Sequence, residues 1–334
     1  MSKLKCGIIG FGGLGQIHFS NLINNENVEL VAICDVNEEK FTKATDTNQG
    51  KGKEFDVSSY NLYTDAEKML NDEKLELVVV ALPTYLHAKY SIMALDKGAH
   101  VFCEKPMART VDECKDMIAA AERNGKKLMI GQCVRFNLRY KILKEACDSG
   151  KYGKLLRLEL NRYGCTPIWG WENWYMDFEK SGGAALDLHV HDVDFLNYMF
   201  GRPKAVQSEA IHRISGFDCI TSRFFYDNDA IIRVTGDWSM PYCYGFKPTL
   251  FAQFEQAVLV TGDKGVVVYP ADGEMTEIEC DATFSAYDAE MKYFVECIVE
   301  NKPNLMVPVE STMQSIEMVF AEMESDKTKE KVIL

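Results

Sequence analysis

The sequence predicts an α/β protein with two domains. The first has a doubly wound parallel sheet, and the second is an α/β domain with a large, mostly antiparallel sheet. Three observations predict this. Apolar runs alternate with helix-like stretches through residues 1–132, a glycine-rich turn follows the first run, and strand-like runs joined by short turns dominate residues 133–334. We therefore expect the domains to cover residues 1–132 and 133–334.

The first domain has six short strand-like runs with helical stretches between them. Val78-Val79-Val80 is continuously β-branched, which is typical of a central parallel strand covered on both faces. Thr64 and Thr110 each begin a capping-box pattern, and Gly98 and Gly125 are expected to end helices. The predicted strands are Leu4–Ile9, Val28–Cys34, Asn61–Tyr63, Leu77–Leu82, Val101–Glu104 and Leu128–Gly131.

The second domain changes pattern to several strands in succession. Strands joined by short turns pair antiparallel, so these runs predict a largely antiparallel sheet. The predicted strands are Lys154–Tyr163, Ala205–His212, Cys219–Phe225, Ala230–Trp238, Leu250–Thr261 and Val266–Tyr269. The predicted helices are Tyr140–Ser149, about Ala184–Phe200, Tyr287–Glu300 and Ser311–Met323.

Composition excludes several classes of function. The net charge of −13 over 334 residues argues against binding to nucleic acid or to anionic membrane surfaces. No apolar run approaches the length of a membrane span, and Met1–Lys5 leads into a strand without a signal-like segment, so a cytoplasmic location is expected. The 11 cysteines include no C-x-x-C pair, so neither a disulfide framework nor a zinc site is expected.

The glycine-rich turn indicates a dinucleotide site of the Rossmann type. It reads Gly10-Phe11-Gly12-Gly13-Leu14-Gly15 between a strand and a helix, and Asp35 ends the next strand. Such glycines permit a tight turn, close approach of a pyrophosphate and close helix packing, while the acid accepts hydrogen bonds from the ribose. Because Asp35 would repel a 2′-phosphate, and Val36 and the next residues include no arginine, we expect NAD rather than NADP.

A lysine follows the fifth predicted strand, in Glu104-Lys105-Pro106. The carboxyl ends of strands in an open α/β sheet face the ligand crevice, so Lys105 is expected near the nicotinamide. There a lysine with a lowered proton affinity can donate a hydrogen bond or relay a proton. A surface lysine that merely starts a loop is the alternative, and position alone leaves both open.

A second group of polar residues lies in the predicted helix that follows Gly182-Gly183. Asp187 and His191 are four residues apart and share a helix face, where a carboxylate can orient an imidazole as a general base. A structural histidine pair is the alternative. A metal site from Asp187, His189, His191 and Asp194 is not expected, because His189 and His191 would point to nearly opposite sides.

Four aromatic residues precede this helix, and they admit two interpretations. They form the wall of a sugar site, with Trp171 as the candidate contact, or they pack beneath a long loop. The four are Trp169, Trp171, Trp174 and Tyr175.

Taken together, the motifs make the chain resemble the Gfo/Idh/MocA family of nicotinamide-dependent oxidoreductases nearly from end to end. They are the glycine fingerprint, Pro83-Thr84-Tyr85-Leu86-His87, Glu104-Lys105-Pro106, Arg135-Phe136-Asn137 and Gly182-Gly183 with Asp187, His191 and Asp194. The resemblance implies a Rossmann domain followed by a domain whose open sheet makes homodimer or homotetramer contacts.

The resemblance also implies roles for individual residues. Lys105 would contact the reacting hydroxyl, Asp187 and His191 would form the acid/base pair, and Arg135 would touch substrate. Pro106 would follow a cis peptide bond. Many members have glycine where this chain has His189, so the second imidazole alters either the pocket or the helix packing. Further cofactor contacts are expected from Pro83, Thr84, His87 and Glu104.

The implied activity is an NAD-dependent dehydrogenase acting on a secondary hydroxyl of a sugar, sugar derivative or inositol-like polyol. Two alternatives keep the cofactor. One is a redox-neutral sugar-processing enzyme that uses tightly bound NAD transiently. The other is a nicotinamide-binding regulator without catalysis, which would have no need of Lys105, Asp187 and His191 together.

Overall fold

A computed structural model of the chain describes residues 3–46, 52 and 54–334. The chain forms two compact units, one made from Met1–Gln132 and Tyr287–Met313, the other from Cys133–Ala286 and Gln314–Leu334. One division falls at the expected boundary. The segment 287–313, which the sequence placed in the second domain, groups with the first unit. Met1 and Ser2, at which the expectation about a signal segment began, lie outside the described residues.

The first unit contains a six-stranded parallel sheet in the order β3-β2-β1-β4-β5-β6, as predicted. Its strands are β1 (Leu4–Ile9), β2 (Val28–Cys34), β3 (Asn61–Tyr63), β4 (Leu77–Val80), β5 (His100–Glu104) and β6 (Leu128–Gly131). Helices α1 (Gly13–Ile23), α2 (Ala66–Asp72), α3 (His87–Asp96) and α4 (Val111–Arg123) alternate with them. The strand order reverses between β1 and β4, where open α/β sheets bind their ligands.

The helix caps of this unit confirm one prediction and correct another. Thr110 and Glu113 form the predicted capping box at the start of α4. The start of α2 was predicted one residue too early. Asp65, not Thr64, is the N-cap, and its carboxylate accepts hydrogen bonds from the amides of Glu67 and Lys68. A carboxylate that satisfies two orphan amides fixes the helix start at that residue.

The second unit is built on a nine-stranded sheet in the order β14-β13-β12-β11-β7-β10-β9-β8-β15. The predicted antiparallel character is confirmed, apart from the parallel pair of β7 and β10. The strands are β7 (Leu155–Cys165), β8 (Ala205–Ile211), β9 (Cys219–Phe225), β10 (Ile231–Met240), β11 (Lys247–Phe254), β12 (Ala257–Thr261), β13 (Gly265–Pro270), β14 (Thr276–Glu279) and β15 (Val332–Ile333).

Five further helices complete the described elements. They are α5 (Leu138–Ser149), the short α6 (Phe178–Ser181), α7 (Val190–Phe200), α8 (Ala286–Val299) and α9 (Val309–Thr328). None of the helices in the described ranges is long and apolar enough to cross a membrane. The 11 cysteines are all free thiols.

Two predictions for the second unit are corrected. The run Leu250–Thr261 is not one strand but the hairpin of β11 and β12, because the polar pair Glu255-Gln256 reverses the chain between them. The helix predicted over about Ala184–Phe200 is interrupted, since Ala185–His189 forms a π-helical turn before α7 begins. The short edge strands β14 and β15 were not predicted, because neither carries a clear apolar alternation.

Candidate active site

The turn between β1 and α1 requires glycine at two positions and is open at a third. Gly10 has a φ of +93°, and a Cβ there would lie 2.4 Å from the carbonyl oxygen of Ala81. A Cβ on Gly15 would lie 2.0 Å from the carbonyl oxygen of Gly10. A Cβ on Gly12, the N-cap of α1, would meet none of the described atoms within 4 Å. The helix N-terminus therefore has free space where a pyrophosphate binds in such loops.

Asp35 follows β2 and is hydrogen-bonded to the glycine-rich turn. The amide of Phe11 donates to Oδ2 (2.7 Å) and the amide of Asn37 donates to Oδ1 (2.9 Å). These bonds hold the carboxylate in place, and each oxygen keeps a lone pair for a hydroxyl group. The aromatic ring of Phe11 is buried, so this residue faces the site through its backbone. Val36, the next residue after Asp35, is exposed.

The loop after β4 carries Pro83, Thr84 and His87. Thr84 is buried, and its hydroxyl has no hydrogen-bond partner among the described residues. The ring nitrogens of His87 lie 2.7 Å from the carbonyl oxygens of Leu82 and of Pro106. Burial lowers the pKa of His87, so the neutral ring donates to one of these carbonyls. The ring is fully buried and supports the two loops, and a direct cofactor contact of His87 stays a prediction.

Glu104 and Lys105 differ sharply in where their side chains lie. The Glu104 carboxylate is buried, accepts a hydrogen bond from His18 Nε2 (2.6 Å), and accepts another from the Lys105 amide (3.2 Å). Lys105 is partly exposed at the carboxyl end of β5. The bond between Lys105 and Pro106 is cis, which confirms the expectation from the resemblance. Lys105 is thus the accessible residue of this motif, and the Glu104 carboxylate supports its backbone, while the predicted cofactor contacts of both residues stay predictions.

In the second unit, Asp187 and His191 differ in burial from their neighbours. Every residue from Ser181 to Asn197 is buried except these two, which are partly exposed. Asp187 lies in the π-helical turn and His191 in the first turn of α7. A carboxylate and an imidazole four residues apart are the two groups of this segment that solvent or a substrate can reach. This arrangement suits acid/base chemistry.

A buried ion pair and a buried hydrogen bond anchor α7 through Asp192. Asp192 accepts hydrogen bonds from the hydroxyl of Tyr140 (2.6 Å) and from Nε of Arg162 (2.8 Å). Burial, together with the Asp192 carboxylate, raises the pKa of Tyr140 well above its usual range, so the hydroxyl stays protonated and donates. These contacts fix one face of α7 to α5 and to β7.

Arg135, predicted to contact substrate, is a buried partner of Asp194 in this structure. Its Nε and Nη2 atoms each lie 2.7 Å from a different carboxylate oxygen of Asp194, and both side chains are 1% exposed. A guanidinium so enclosed helps to position α7, and contact of Arg135 with a substrate stays a prediction. The two aspartates of α7 could have indicated this pairing from sequence, because acids on the buried face of a helix need cationic partners.

The position of His189 shows whether the second imidazole affects the pocket or the helix packing. It is fully buried, and Nε2 lies 2.7 Å from Oε1 of Glu322 on α9. A Cβ on Gly236 would lie 2.6 Å from the Cβ of His189, so β10 passes directly against it. The second imidazole therefore serves helix packing. With His189 held by Glu322 and Asp194 by Arg135, these two residues are not arranged around a shared ion with His191.

The aromatic loop contains both buried, packed rings and exposed rings. Trp174 is buried and stacks on Tyr175, with ring centroids 4.0 Å apart, and Tyr175 packs edge-on against Trp238. Trp169 and Trp171 are exposed, the latter by 42%. The inner aromatics form core, and contact of Trp171 with a substrate stays a prediction.

Two ionisable residues close to Glu104 were missed from sequence. His18 lies three residues after Gly15, on the buried side of α1, and Glu290 lies in the apolar helix α8. Each is a polar residue in an otherwise apolar helix face, and that was the available signal. They join Glu104 in a buried cluster.

Comparison with known proteins agrees with this architecture. Residues 4–132 match the NAD-binding Rossmann domain of the Gfo/Idh/MocA oxidoreductase family, and residues 140–268 match its C-terminal domain. An inositol 2-dehydrogenase of Salmonella paratyphi B is 30% identical over 198 residues, which are 59% of this chain and 54% of that protein. The chain thus spans about half the length of that relative.

Two other matches cover a larger share of the matched protein. A 2,7-anhydro-N-acetylneuraminate hydratase of Mediterraneibacter gnavus is 27% identical over 268 residues, 80% of this chain and 67% of that protein. The WlbA dehydrogenase of Bordetella pertussis, solved with NADH and UDP-GlcNAcA, has a TM-score of 0.82 at 19% identity, covering 100% of this chain and 98% of that one. Since the two domain matches together span well over half of its residues, the chain belongs to the Gfo/Idh/MocA oxidoreductase family, and its first unit is an NAD-binding Rossmann domain.

Proposed function

We propose that this chain is an NAD-dependent dehydrogenase that acts on a secondary hydroxyl of a sugar, a sugar derivative or an inositol-like polyol. The observation that carries the proposal is the selective exposure of Asp187 and His191 in an otherwise buried segment. A histidine and an aspartate kept accessible in a segment, 181–197, whose other residues are all buried indicate a chemical role. Names of matched relatives, among them an inositol 2-dehydrogenase, support the substrate class.

In the proposed reaction each side chain has one task. His191, as a neutral imidazole, takes the proton of the substrate hydroxyl, while Asp187 orients the ring and stabilises the imidazolium that forms. Lys105 donates a hydrogen bond to the same oxygen as negative charge develops there. When bound, NAD⁺ supplies the acceptor for the hydride that leaves the carbon. The proton thus goes to His191 and the electron pair to the cofactor.

The test is turnover with NAD⁺ across a panel of polyols and sugars, followed by His191→Ala on the best substrate. Loss of general base catalysis should lower kcat by roughly 10²–10⁴-fold and leave NAD affinity unchanged. His212→Ala is the matched control, because its side chain is exposed (48%) in the same unit but lies outside α7. Normal turnover by the His191 variant would remove the general base from the proposal.

A redox-neutral reaction is the second candidate, favoured by the match to a protein named as a hydratase. In that reaction Asp187, His191 and Lys105 would move protons while NAD is reduced and reoxidised within one cycle. NAD that stays bound through purification, with substrate consumed but no net NADH released, would support this candidate over the dehydrogenase. A non-catalytic regulator would bind NAD and consume nothing under either assay.

We also propose that the second unit forms a homodimer or homotetramer through its sheet. Its strands expose several large apolar side chains, and burying such side chains against a second copy would favour association. These include Ile211, Ile231, Tyr269 and Ile278. Light scattering measures the mass of the assembly in solution, and a mass near 37.8 kDa, that of one chain, would contradict the proposed oligomer.

A further inference from the structure

The interior of the first unit contains a cluster of three ionisable side chains from three separate elements. His18 belongs to α1, Glu104 ends β5, and Glu290 belongs to α8. Their exposures are 0%, 2% and 0%, and one nitrogen or oxygen atom of each lies within 4.8 Å of the others. The proposed reaction does not use this cluster, although it adjoins Lys105.

The two carboxyl groups of the cluster differ in their hydrogen-bond partners. Glu104 accepts hydrogen bonds from His18 Nε2 (2.6 Å) and from the Lys105 amide (3.2 Å). Both oxygens of Glu290 are buried without any hydrogen-bond partner among the described residues. The neighbourhood is aromatic, with His18 packed edge-on to Phe102 (5.0 Å) and Phe102 near Phe294 (6.1 Å). A second negative charge here would be unsolvated and would face the first.

A cation and a proton are the two ways to remove that second charge. Ligand atoms at about 2.0–2.2 Å from a tetrahedral zinc ion lie roughly 3.3 Å from each other. The 2.6 Å between His18 Nε2 and Glu104 Oε1 is shorter, so these two atoms are in direct hydrogen-bond contact. The geometry therefore favours a proton over an ion between the ligand atoms.

We propose that Glu290 is a positioning residue for Lys105, acting as a neutral carboxylic acid that supports the buried carboxylate of Glu104. Burial and the charge of Glu104 raise the pKa of Glu290 well above its usual range. The retained proton leaves one negative charge, which His18 and the Lys105 amide share. At a separation within 4.8 Å the Glu290 hydroxyl reaches Glu104 after a small rotation or through one buried water.

The consequence is that α8 stabilises the end of β5. Glu290 is distant from Glu104 in sequence, yet it shares one buried cluster with the carboxylate that holds the Lys105 backbone. The importance of Lys105 itself rests on the proposed function. The proton on Glu290 and its effect on Lys105 are measurable without any substrate, so the two proposals fail separately.

The first experiment locates the proton. Infrared spectra of the full chain at pH 7, with and without ¹³C-labelled glutamate, are compared between the wild type and Glu290→Gln. We expect a C=O band of a protonated carboxyl group that shifts with the label and disappears in the variant. A wild-type spectrum without this band overturns the proposal. So does a stoichiometric divalent metal in the purified wild type that is lost in Glu290→Gln.

The second experiment measures the effect on Lys105. Lysines are reductively ¹³C-methylated, and the Lys105 resonance is assigned with Lys105→Arg. Gln at position 290 keeps a neutral polar group, whereas Met keeps only the volume. We expect the Lys105 resonance to be unchanged in Glu290→Gln and displaced in Glu290→Met, with NAD affinity within threefold of wild type in both. A resonance displaced equally in both variants, or in neither, overturns the positioning role. With an active substrate, kcat should fall at least tenfold in the Met variant alone, with KM unchanged.

Discussion

Arg135 and Asp194 form an ion pair with two parallel hydrogen bonds inside the second unit, both of 2.7 Å. The Ser315 hydroxyl adds a third bond to the same carboxylate at 2.9 Å. Asp194 lies one turn after His191 on α7. The pair therefore anchors the helix that carries the accessible imidazole of His191. We expect its loss to lower the stability of the fold more than it lowers catalytic activity.

The first prediction follows from the cost of an unpaired buried charge. Arg135→Met leaves the Asp194 carboxylate without its cation, so the free energy of unfolding should fall by about 3–5 kcal/mol. Urea denaturation measures this. Arg202→Met is the control: its pair with Glu317 is exposed, with Arg202 at 46%, and should contribute at most about 1 kcal/mol. An Arg135 variant that unfolds like the wild type but shows a raised KM would support the substrate contact expected from sequence.

The second prediction separates two glycines of the turn before α1. Alanine at Gly15 places a Cβ 2.0 Å from the backbone oxygen of Gly10, so the loop must shift and the unit should lose several kcal/mol of stability. Alanine at Gly12 meets open space, so thermal unfolding should change by less than about 1 kcal/mol. NAD affinity should nevertheless fall in Gly12→Ala, because the added methyl occupies the proposed pyrophosphate position. Equal stability losses would contradict this division.

The third prediction concerns the choice of cofactor. The Asp35 carboxylate is held by the Phe11 and Asn37 amides, so it cannot easily turn away from a 2′-phosphate. We expect the wild type to bind NADH at least about tenfold more tightly than NADPH, because like charges repel at such short range. The double variant Asp35→Ser, Val36→Arg should reverse the preference in fluorescence titrations. Tighter binding of NADPH by the wild type would overturn the assignment.

Sequence alone predicted the features that are encoded locally. The glycines of the turn lie within a few residues of one another, and so do Asp187 and His191. The spacing within each motif can therefore be recognised in the sequence. The Arg135–Asp194 pair joins residues 59 apart, and the link of His18 to Glu104 joins residues 86 apart. Nothing local specifies such partners. Such partners are specified by how elements distant in sequence pack against each other, and only the folded structure shows this packing.

The same distinction explains the mistaken strand and the missed edge strands. Glu255 and Gln256 interrupt a run that is apolar on both sides, and alternation continues through them, so the hairpin was hidden in the sequence. Helix α7 was located correctly, but the π-helical turn before it was not. A π-helical turn has no propensity signal of its own, because tertiary contacts select it.

The fourth prediction contrasts the two histidines near the start of α7. His189→Ala should lower the free energy of unfolding by about 3–5 kcal/mol, because it leaves Glu322 buried without its partner at 2.7 Å. His191→Ala is the matched control and should unfold within about 1 kcal/mol of the wild type, since its ring is partly exposed. Chemical denaturation of both variants tests this. Similar losses would mean that His191 also is structural, and the acid/base role would lose its support.

The last prediction is a pH dependence of stability from His100 at the start of β5. Its Nδ1 accepts a hydrogen bond from the Lys127 amide (2.9 Å), which requires an unprotonated nitrogen. Burial, with the charges of Lys126 and Lys127, lowers the pKa of His100 from 6.5 to about 4. Between these pH values the unfolded chain binds a proton that the folded chain does not, so this contribution is complete above pH 6.5 and is lost as the pH falls.

The expected size is about 1–2 kcal/mol of unfolding free energy lost between pH 7 and pH 5. Urea titrations of the wild type and of His100→Gln at both pH values isolate it. Glutamine has a side-chain oxygen that can accept from the Lys127 amide but does not titrate, so the variant should lose less stability on acidification than the wild type. Equal losses in the two proteins would show that His100 keeps an ordinary pKa in the folded state and that other groups set the acid limit.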